Sequence, residues 1–514
     1  MKQLLIERRR YYDSVFLMRI SRQLEELPEV VHAVVAMGTP ANLEALGRVG
    51  FALDDERESV GPQDLIIGLE VLSEAALSEA ETQLRRLLAA SSSEEAVSDG
   101  ALRPLTLSEA LEGDSEIDLA LVSVPGVYAP REARSALRRG LHVMLFSDNV
   151  SVDDEIALKD EASRRGLLMM GPDCGTAILA GVPLGFANAI RRGSIGIVGA
   201  SGTGIQEISC LVHRFGGGIS HAIGTGGRDL SARVGGRMSV LGIQALAADP
   251  DTQVLVLVSK TPDAAVGERV VDSLRSSGKP SIVHFVAGEA VDSDGAVTAA
   301  ESLEDAARLA CTKAGVRVPE LMAEPSLPHW AGSAAQSAIR GLFCGGTLAQ
   351  ESWSILHRMG LVVRSNVSAV AALRIRAGDE PSGHVIWDLG DDEFTVGRPH
   401  PMIEPALRDR AVEAAADDRH VGVVLVDCVI GYGADHDPAG SLADAATRAR
   451  RRAREEGRDL LVIASVTGTD QDPQRRDEQA RTLSDAGVVV AASNASAART
   501  AVAATARQPG ECGV

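Results

Sequence analysis

The stretch from Ser194 to Asp229 most constrains what this chain of 514 residues can fold into. A short apolar run, Ile195 to Val198, enters a glycine-rich turn, Gly199 to Gly204, and a helix pattern follows with Ile205, Ile208, Leu211 and Val212 at helical spacing. Three glycines, Gly216 to Gly218, stop that helix, and a second strand leads to another glycine-rich turn, Gly224 to Gly227. A strand that turns tightly into a helix leaves the first unpaired N–H groups and the positive end of the helix dipole facing the turn, which is a ready site for an anion. The chain repeats the pattern: Gly202-Thr203-x-x-Gln206-Glu207 returns as Gly346-Thr347-x-x-Gln350-Glu351. Each copy continues into a second glycine-bearing turn, Gly224–Asp229 and Leu389–Arg398, and then into an apolar strand, Val254–Val258 and Val421–Val426. A fixed order of matching elements predicts two similar α/β domains.

The anion-binding groups expected of this pattern are Ser201, Gly202, Thr203 and Gly204 in the first copy and Gly345, Gly346 and Thr347 in the second. Thr-x-x-Gln also reads as a capping box, in which the two side chains satisfy orphan donors at the helix start. The backbone amides remain available to an anion under either reading.

The hydrophobic fraction of 45% and charged fraction of 24% are those of a soluble globular chain, and only 3% is aromatic, as in doubly wound α/β proteins with tight helix–sheet packing. Net charge is 51 − 71 = −20, which argues against nucleic acid or an anionic membrane as partner. The N-terminal residues lack the apolar run of a signal peptide and no apolar run of about 18 residues occurs, so the expected location is cytoplasmic. Six cysteines without CxxC pairs argue against disulfides and structural zinc, and eleven histidines without HExxH spacing predict no metal site.

Residues 1–95 alternate β and α patterns and predict a small α+β domain of ferredoxin-like type, followed by a Ser/Glu-rich linker. Residues 110–190 predict a Rossmann-type domain, 191–317 a flavodoxin-type domain and, beyond a proline-bearing linker, 335–508 a second one. The strand Leu167–Met170 delivers Asp173, Cys174, Gly175 and Thr176 at its carboxyl end, where open α/β sheets place ligands, and Gly226, Gly227 and Asp229 occupy the matching turn of the next domain. Cys174 reads either as a nucleophile or pocket wall, or as a residue that packs its turn; no histidine neighbours it in sequence. The acidic run Asp388–Glu393, with Arg398 and His400 close behind, reads as a loop lining a pocket.

Ser123–Gly126, Gly171–Ala177, Gly196–Gly204, His221–Ser231 and Asp388–Pro401 together resemble the FdrA family over nearly the whole chain. That family in turn is similar to the α subunit of succinyl-CoA synthetase over Asp118 to about Val316, with a further ligase-like domain at the C-terminus. The resemblance implies several Rossmann/flavodoxin-like parallel-sheet domains in a synthetase-like arrangement: a CoA-binding-like domain at 110–190 and ligase-like domains at 191–317 and 335–508. Two departures stand out. Where the synthetase carries phosphate on the histidine of a Gly-His-Ala-Gly motif, Val286–Ala296 holds no histidine, and in place of a glycine-rich first turn for coenzyme A the chain offers only Met37-Gly-Thr-Pro40. No ATP-grasp domain is evident.

The resemblance therefore implies a subunit of an oxamate carbamoyltransferase, interconverting oxamate plus carbamoyl phosphate with oxalurate plus phosphate. Phosphate or carbamoyl phosphate would lie on the two glycine turns, with Arg228, Arg237 and Arg398 holding anionic substrate and His221 and His400 as proton carriers or structural residues. Two alternatives stay open: an ADP-forming acyl-CoA synthetase subunit using coenzyme A and ATP/Mg with a displaced phosphohistidine, best placed at His221, or a non-catalytic scaffold. The family further implies other subunits in a hetero-oligomeric complex and a homo-oligomer, such as a dimer.

Overall fold

Along the N-terminal stretch, apolar residues recur at strand and helix spacing and close one core. A computed structural model describes every residue except 9, 11, 13, 26, 40–41, 44–45, 48–49, 52–59, 62, 95–103, 105, 115, 289–290, 319–323, 329–335, 396–398 and 507–514. The chain begins β1 (Lys2–Glu7), α1 (Ser14–Glu25), β2 (Val30–Met37), β3 (Leu65–Val71) and α2 (Glu74–Glu94). β3 lies between β1 and β2 and runs antiparallel to both. Leu17, Ile20 and Leu24 of α1 and Leu84 and Leu88 of α2 cover Val35, Ile67 and Leu69. This α+β sandwich belongs to a unit formed by Met1–Gly113 and Thr395–Pro399.

The other unit, Asp114–Phe394 with His400–Val514, carries three sheets. The first is short and parallel: β4 (Leu119–Val122), β5 (His142–Leu145) and β6 (Met169–Met170), with crossover helices α3 (Ala129–Arg138) and α4 (Val152–Arg165). The second runs through β7 (Thr176–Leu179), β8 (Val182–Gly185), β9 (Arg192–Ala200), α5 (Gly202–Arg214), β10 (Ile219–Gly224), α6 (Arg237–Ala248), β11 (Val254–Lys260), α7 (Ala264–Ser276), β12 (Ser281–Val286), β13 (Val297–Ala299) and α8 (Leu303–Lys313). Its spatial order is β13-β12-β11-β9-β10-β7-β8, parallel from β13 to β10 with an antiparallel β7–β8 edge.

The third sheet is parallel throughout, in the order β15-β16-β14-β17-β18-β19. It is built from β14 (Ala338–Phe343), α9 (Gly346–Arg358), β15 (Val363–Ser365), β16 (His384–Asp388), α10 (Ala406–Ala415), β17 (Val421–Val429), α11 (Pro438–Glu455), β18 (Leu461–Thr467), α12 (Arg476–Asp485), β19 (Val489–Ala491) and α13 (Asn494–Ala506). Near-continuous apolar strands such as Val254–Val258 and Val421–Val426 are what a parallel sheet covered on both faces requires. One apolar cluster runs through both large sheets, joining Ile197, Ile208 and Val256 to Phe343, Trp353 and Leu425. Among the described residues no helix is long and apolar enough to cross a membrane.

The two halves are also tied by a buried polar exchange. Glu207 of α5 accepts from the Asn494 amide at the start of α13 (3.0 Å) and from Thr467 Oγ1 (2.6 Å). Its counterpart in the repeat, Glu351 of α9, accepts from the Leu303 amide at the start of α8 (2.7 Å) and from Asn494 Nδ2 (2.7 Å). A carboxylate at a helix start satisfies an orphan donor and meets the positive dipole end. Each half thereby completes the last helix of the other. Burial raises both carboxyls, Glu351 to about 7.

Candidate functional site

At the carboxyl end of β9 the chain passes through Ser201, extended at φ −162°, straight into α5. Ser201 Oγ accepts from the Gly204 amide at 3.1 Å and so caps the helix. The matching start of α9 has no side-chain cap; instead Asp427, near the end of β17, accepts from the Cys344 and Gly345 amides, both at 2.7 Å. The two starts meet, with Ser201 Oγ and Thr347 Oγ1 2.6 Å apart. A methyl group on Gly345 would stand 2.9 Å from Thr203 Cγ2, so glycine is needed for the approach. The amides of Gly202, Thr203, Gly346, Thr347 and Leu348 have no acceptor among the described residues. Thr-x-x-Gln closes no capping box: Ser201 caps α5, and Gln206 turns away to donate to Asn188 Oδ1 at 3.1 Å.

Charged groups ring this meeting point. Lys260, half-buried, ends β11 with Nζ 3.4 Å from the position a Gly346 Cβ would take, and a Cβ there would collide with Asp388 at the end of β16. Asp388 Oδ1 accepts from the Gly390 amide at 3.0 Å. Burial pushes the Asp388 carboxyl up to about 7, with Lys260 opposing and Asp391 adding to the shift. Burial likewise raises Asp427 to about 6. Asp173 is also raised to about 6, first by the protein that strips water from its carboxyl and then by Asp148 and Asp392, although the residue as a whole is exposed.

His400 lies against Gly390, where a Cβ would run into its Nε2, and its ring centroid is 6.0 Å from that of Phe186. Burial lowers its pKa to about 4, so it is neutral near pH 7. Its Nδ1 accepts from the Met402 amide at 3.2 Å, which assigns the ring proton to Nε2. It can donate to an anion there but has no free ring nitrogen to act as nucleophile.

The remaining expected residues divide. Thr176 buttresses the first turn: its Oγ1 donates to Phe186 O at 2.7 Å and lies 3.3 Å from the position of a Gly202 Cβ, while Gly175 O accepts from the Phe186 amide at 2.7 Å. Cys174 is buried, donates to Thr176 O and Gly224 O, and is pushed up to about 12 by burial; it packs its turn and offers no thiolate. Gly226, at φ +83°, passes close to Pro172 O, and Gly227 faces Asp173.

Asp229 is fully buried and structural, accepting from Lys159 Nζ (2.9 Å), the Ser239 amide (2.8 Å) and Ser239 Oγ (2.7 Å). Arg228 is engaged by Glu155 (2.9 Å) and Val150 O (2.9 Å), and Arg237 by Asp160 and Val234 O. The structure keeps His221 out of this group: it accepts from the Ala180 amide and lies 3.8 Å from Asp249, which follows α6 at the amino edge of the sheet, opposite the glycine turns. Arg398 lies outside the described residues. Lys260 and Asp427 went unrecognised in the sequence; the available signal was a charged residue closing an apolar strand at its ligand-binding end. Among the described residues no group of three or more His, Cys, Asp or Glu side chains could hold a metal, and five buried cysteines are free.

Comparison with known proteins assigns families to these elements. The CoA-ligase family model matches residues 342–504, the CoA binding domain 190–288, and the AllF heavy metal-associated domain 1–104. The CoA-binding match thus falls on the first large sheet rather than on 110–190. Uncharacterized protein YahF of Escherichia coli is 42% identical over 503 residues, 96% of both chains. The mitochondrial ADP-forming succinate–CoA ligase subunit α-2 of Trichomonas vaginalis is 29% identical over 182 residues, 34% of this chain and 57% of that one. The ADP-forming sulfoacetate-CoA ligase subunit SauD of Bilophila wadsworthia is 24% identical over 184 residues, 34% and 61% of the two chains. This chain spans less than two thirds of either ligase subunit. Among solved structures, the apo dinucleotide forming acetyl-coenzyme A synthetase 1 of Ca. Korarchaeum cryptofilum has 16% identity and a TM-score of 0.32, covering 76% of this chain and 84% of that one. With YahF alike from end to end, the chain belongs to the YahF family of FdrA-like proteins, built on CoA-ligase and CoA-binding domains like those of the succinyl-CoA synthetase α subunit.

Proposed function

We propose that the chain is a CoA-ligase-type enzyme subunit that binds the phosphoryl group of a small acyl phosphate at the paired starts of α5 and α9. It transfers the carbamoyl or acyl group without a phosphorylated enzyme. The observation behind this is the 2.6 Å approach of Ser201 to Thr347, which brings two sets of unpaired amides and two positive dipole ends to one point. His400, beside the second turn, has its lone-pair nitrogen occupied by the Met402 amide, which disfavours a phosphohistidine there. In the carbamoyl reaction the oxamate nitrogen attacks the carbamoyl carbon, the carbon–oxygen bond to phosphate breaks, and phosphate remains on the helix starts. The proton released from nitrogen needs a base, and Asp388, raised to about 7, is of suitable strength. Positioning of the two reactants alone can supply roughly 7–11 kcal/mol.

A second reading, an acid–thiol ligase subunit using coenzyme A and ATP, is favoured by the CoA-ligase and CoA-binding matches and by the named activities of the ligase relatives. Either reading leaves room for partner subunits. The test is to offer the full chain, with its partner subunits, carbamoyl phosphate plus oxamate in one arm and ATP, coenzyme A and a small carboxylic acid in the other. Oxalurate and phosphate in the first arm are expected; acyl-CoA with ADP in the second would replace this reading with the ligase.

Anion binding at the site should also depend on pH. Asp388, Asp173 and Asp427 are each raised to about 6–7, so they shed negative charge as pH falls through that range and gain it as pH rises. Sulfate, whose own charge is constant there, should bind several-fold more tightly at pH 6 than at pH 8 in calorimetry. Asp388→Asn should flatten that slope; an unchanged slope would remove Asp388 from the site.

A further inference from the structure

Five arginines fall within residues 448–454 of α11, and helical spacing divides them between two flanks. On the flank beside α10 they are matched: Arg448 Nε donates to Glu413 Oε1 at 2.9 Å and Arg452 Nη1 to Asp417 Oδ1 at 3.0 Å. On the other flank Thr447, Arg451 and Arg454 follow at steps of four and three, with Arg450 alongside. Among the described residues the Arg454 side chain has no hydrogen bond or ion pair, and Arg451 reaches only Glu455, at 3.8 Å. Arg450 Nη1 donates to the Ala486 and Gly487 carbonyls just past α12, both at 3.0 Å, while its buried Nε has no partner. Burial lowers the Arg450 pKa, with the charge of Arg454 adding to the shift and Asp459 opposing it, so two like charges stand close together. In a chain with 71 acidic against 51 basic side chains, arginines are not left unmatched for want of carboxylates. Thr447, Arg450, Arg451, Arg454, Glu455 and Ala486 line a shallow hollow of about 400 Å³, a size found among small-molecule sites.

α11 runs from the carboxyl end of β17 to the amino end of β18, and α12 leads likewise into β19. The hollow therefore lies at the amino edge of the third sheet, opposite the edge that carries the glycine turn. We infer that it is a second anion site, taking a small molecule with two or more phosphate or carboxylate groups. Guanidinium forks match those groups in geometry and charge, and Glu455 in the lining disfavours an anion with a single charge. A ligand bridging Arg450 to Arg454 relieves their repulsion and fastens the last turn of α11 to the end of α12. No bond is made or broken there. The site is independent of the paired helix starts and requires no acyl phosphate.

Pyrophosphate and citrate are the probes, one for each source of charge. Calorimetric titration of the full chain at pH 7 and low salt should show binding of at least one, in the natural chain and in Gly346→Ala alike. Arg451→Gln combined with Arg454→Gln should weaken that binding by about tenfold or more, since hydrogen bonds to charged groups are lost. The thermal unfolding midpoint of the free chain should hardly move, because both side chains are exposed. Arg448→Gln combined with Arg452→Gln removes the same charge from the matched flank and should weaken binding far less. Equal losses in the two double variants would reveal only a general attraction to positive charge and overturn the site. Failure of both probes to bind Gly346→Ala would overturn it as well. Binding of a glutamate-rich peptide with neither probe bound would make the flank a protein-docking surface instead, and overturn the small-ligand site. Because the comparison is read in Gly346→Ala, a failure of the phosphate reading at the helix starts leaves the result undisturbed.

Discussion

Lys159→Met is expected to destabilise the chain by about 3–5 kcal/mol, the range for removing one partner of a buried ion pair. Lys159 is fully buried in α4 and donates to Glu155 Oε1 (2.8 Å), Thr225 O (2.8 Å) and Asp229 Oδ1 (2.9 Å). Two of those acceptors belong to the turn after β10, so one ammonium group joins the short three-stranded sheet region to the first large sheet. Its loss leaves Asp229 buried without a counter-charge and Glu155 with Arg228 alone, and Asp229 still has to hold the start of α6. The urea midpoint should fall at nearly constant slope, and adding Asp229→Asn to the Lys159→Met background should recover part of the loss by removing the orphaned charge. A midpoint that does not move would mean the cluster contributes nothing.

Gly346→Ala is expected to reduce phosphate binding by tenfold or more, about 1.4 kcal/mol or beyond, with the fold intact. The added methyl would collide with the Asp388 carboxylate and crowd Lys260 Nζ at 3.4 Å, closing the approach to the α9 amides. Alanine is a better helix former than glycine, so the helix itself should not suffer. Gly202→Ala provides the internal comparison: its methyl would meet Thr176 Oγ1 at 3.3 Å, a side chain able to give slightly, and binding should fall less. Equal losses in the two variants, or none in Gly346→Ala, would show that the α9 start is not where phosphate lies.

The doubled architecture was legible because each copy combines periods that local physics enforces: apolar strands, a glycine turn, then helical spacing. The meeting of Ser201 with Thr347 was legible only as an expectation from the repeat, since the contact spans 146 residues. Side-chain roles were harder to read. Glu155 and Lys159, four apart on a helix, look like an ordinary surface pair, and nothing local reveals that Asp229, seventy residues on, buries them. Gln206 and Gln350 have the spacing of a capping residue, but Ser201 and Asp427 already serve the helix starts, which frees both amides for other partners. His221 shares a motif with Gly224–Gly227 yet lies mid-strand in β10, with its ring on Ala180 and Asp249. Sequence proximity to a turn does not fix which edge of a sheet a side chain reaches.

The exchange of Glu207 and Glu351 bears on how such a chain can be divided. A fragment holding only the first large sheet would present the start of α8 without its Glu351 acceptor, and one holding only the second would present α13 without Glu207. Each would also uncover its share of the common apolar cluster. Fusion of the halves into one polypeptide turns their encounter into a unimolecular step set by the effective concentration of the linker rather than by the amount of protein in solution. Gene fission at the junction would be tolerated only if the separated products assembled as obligate heterodimers, each acting as the missing cap of the other.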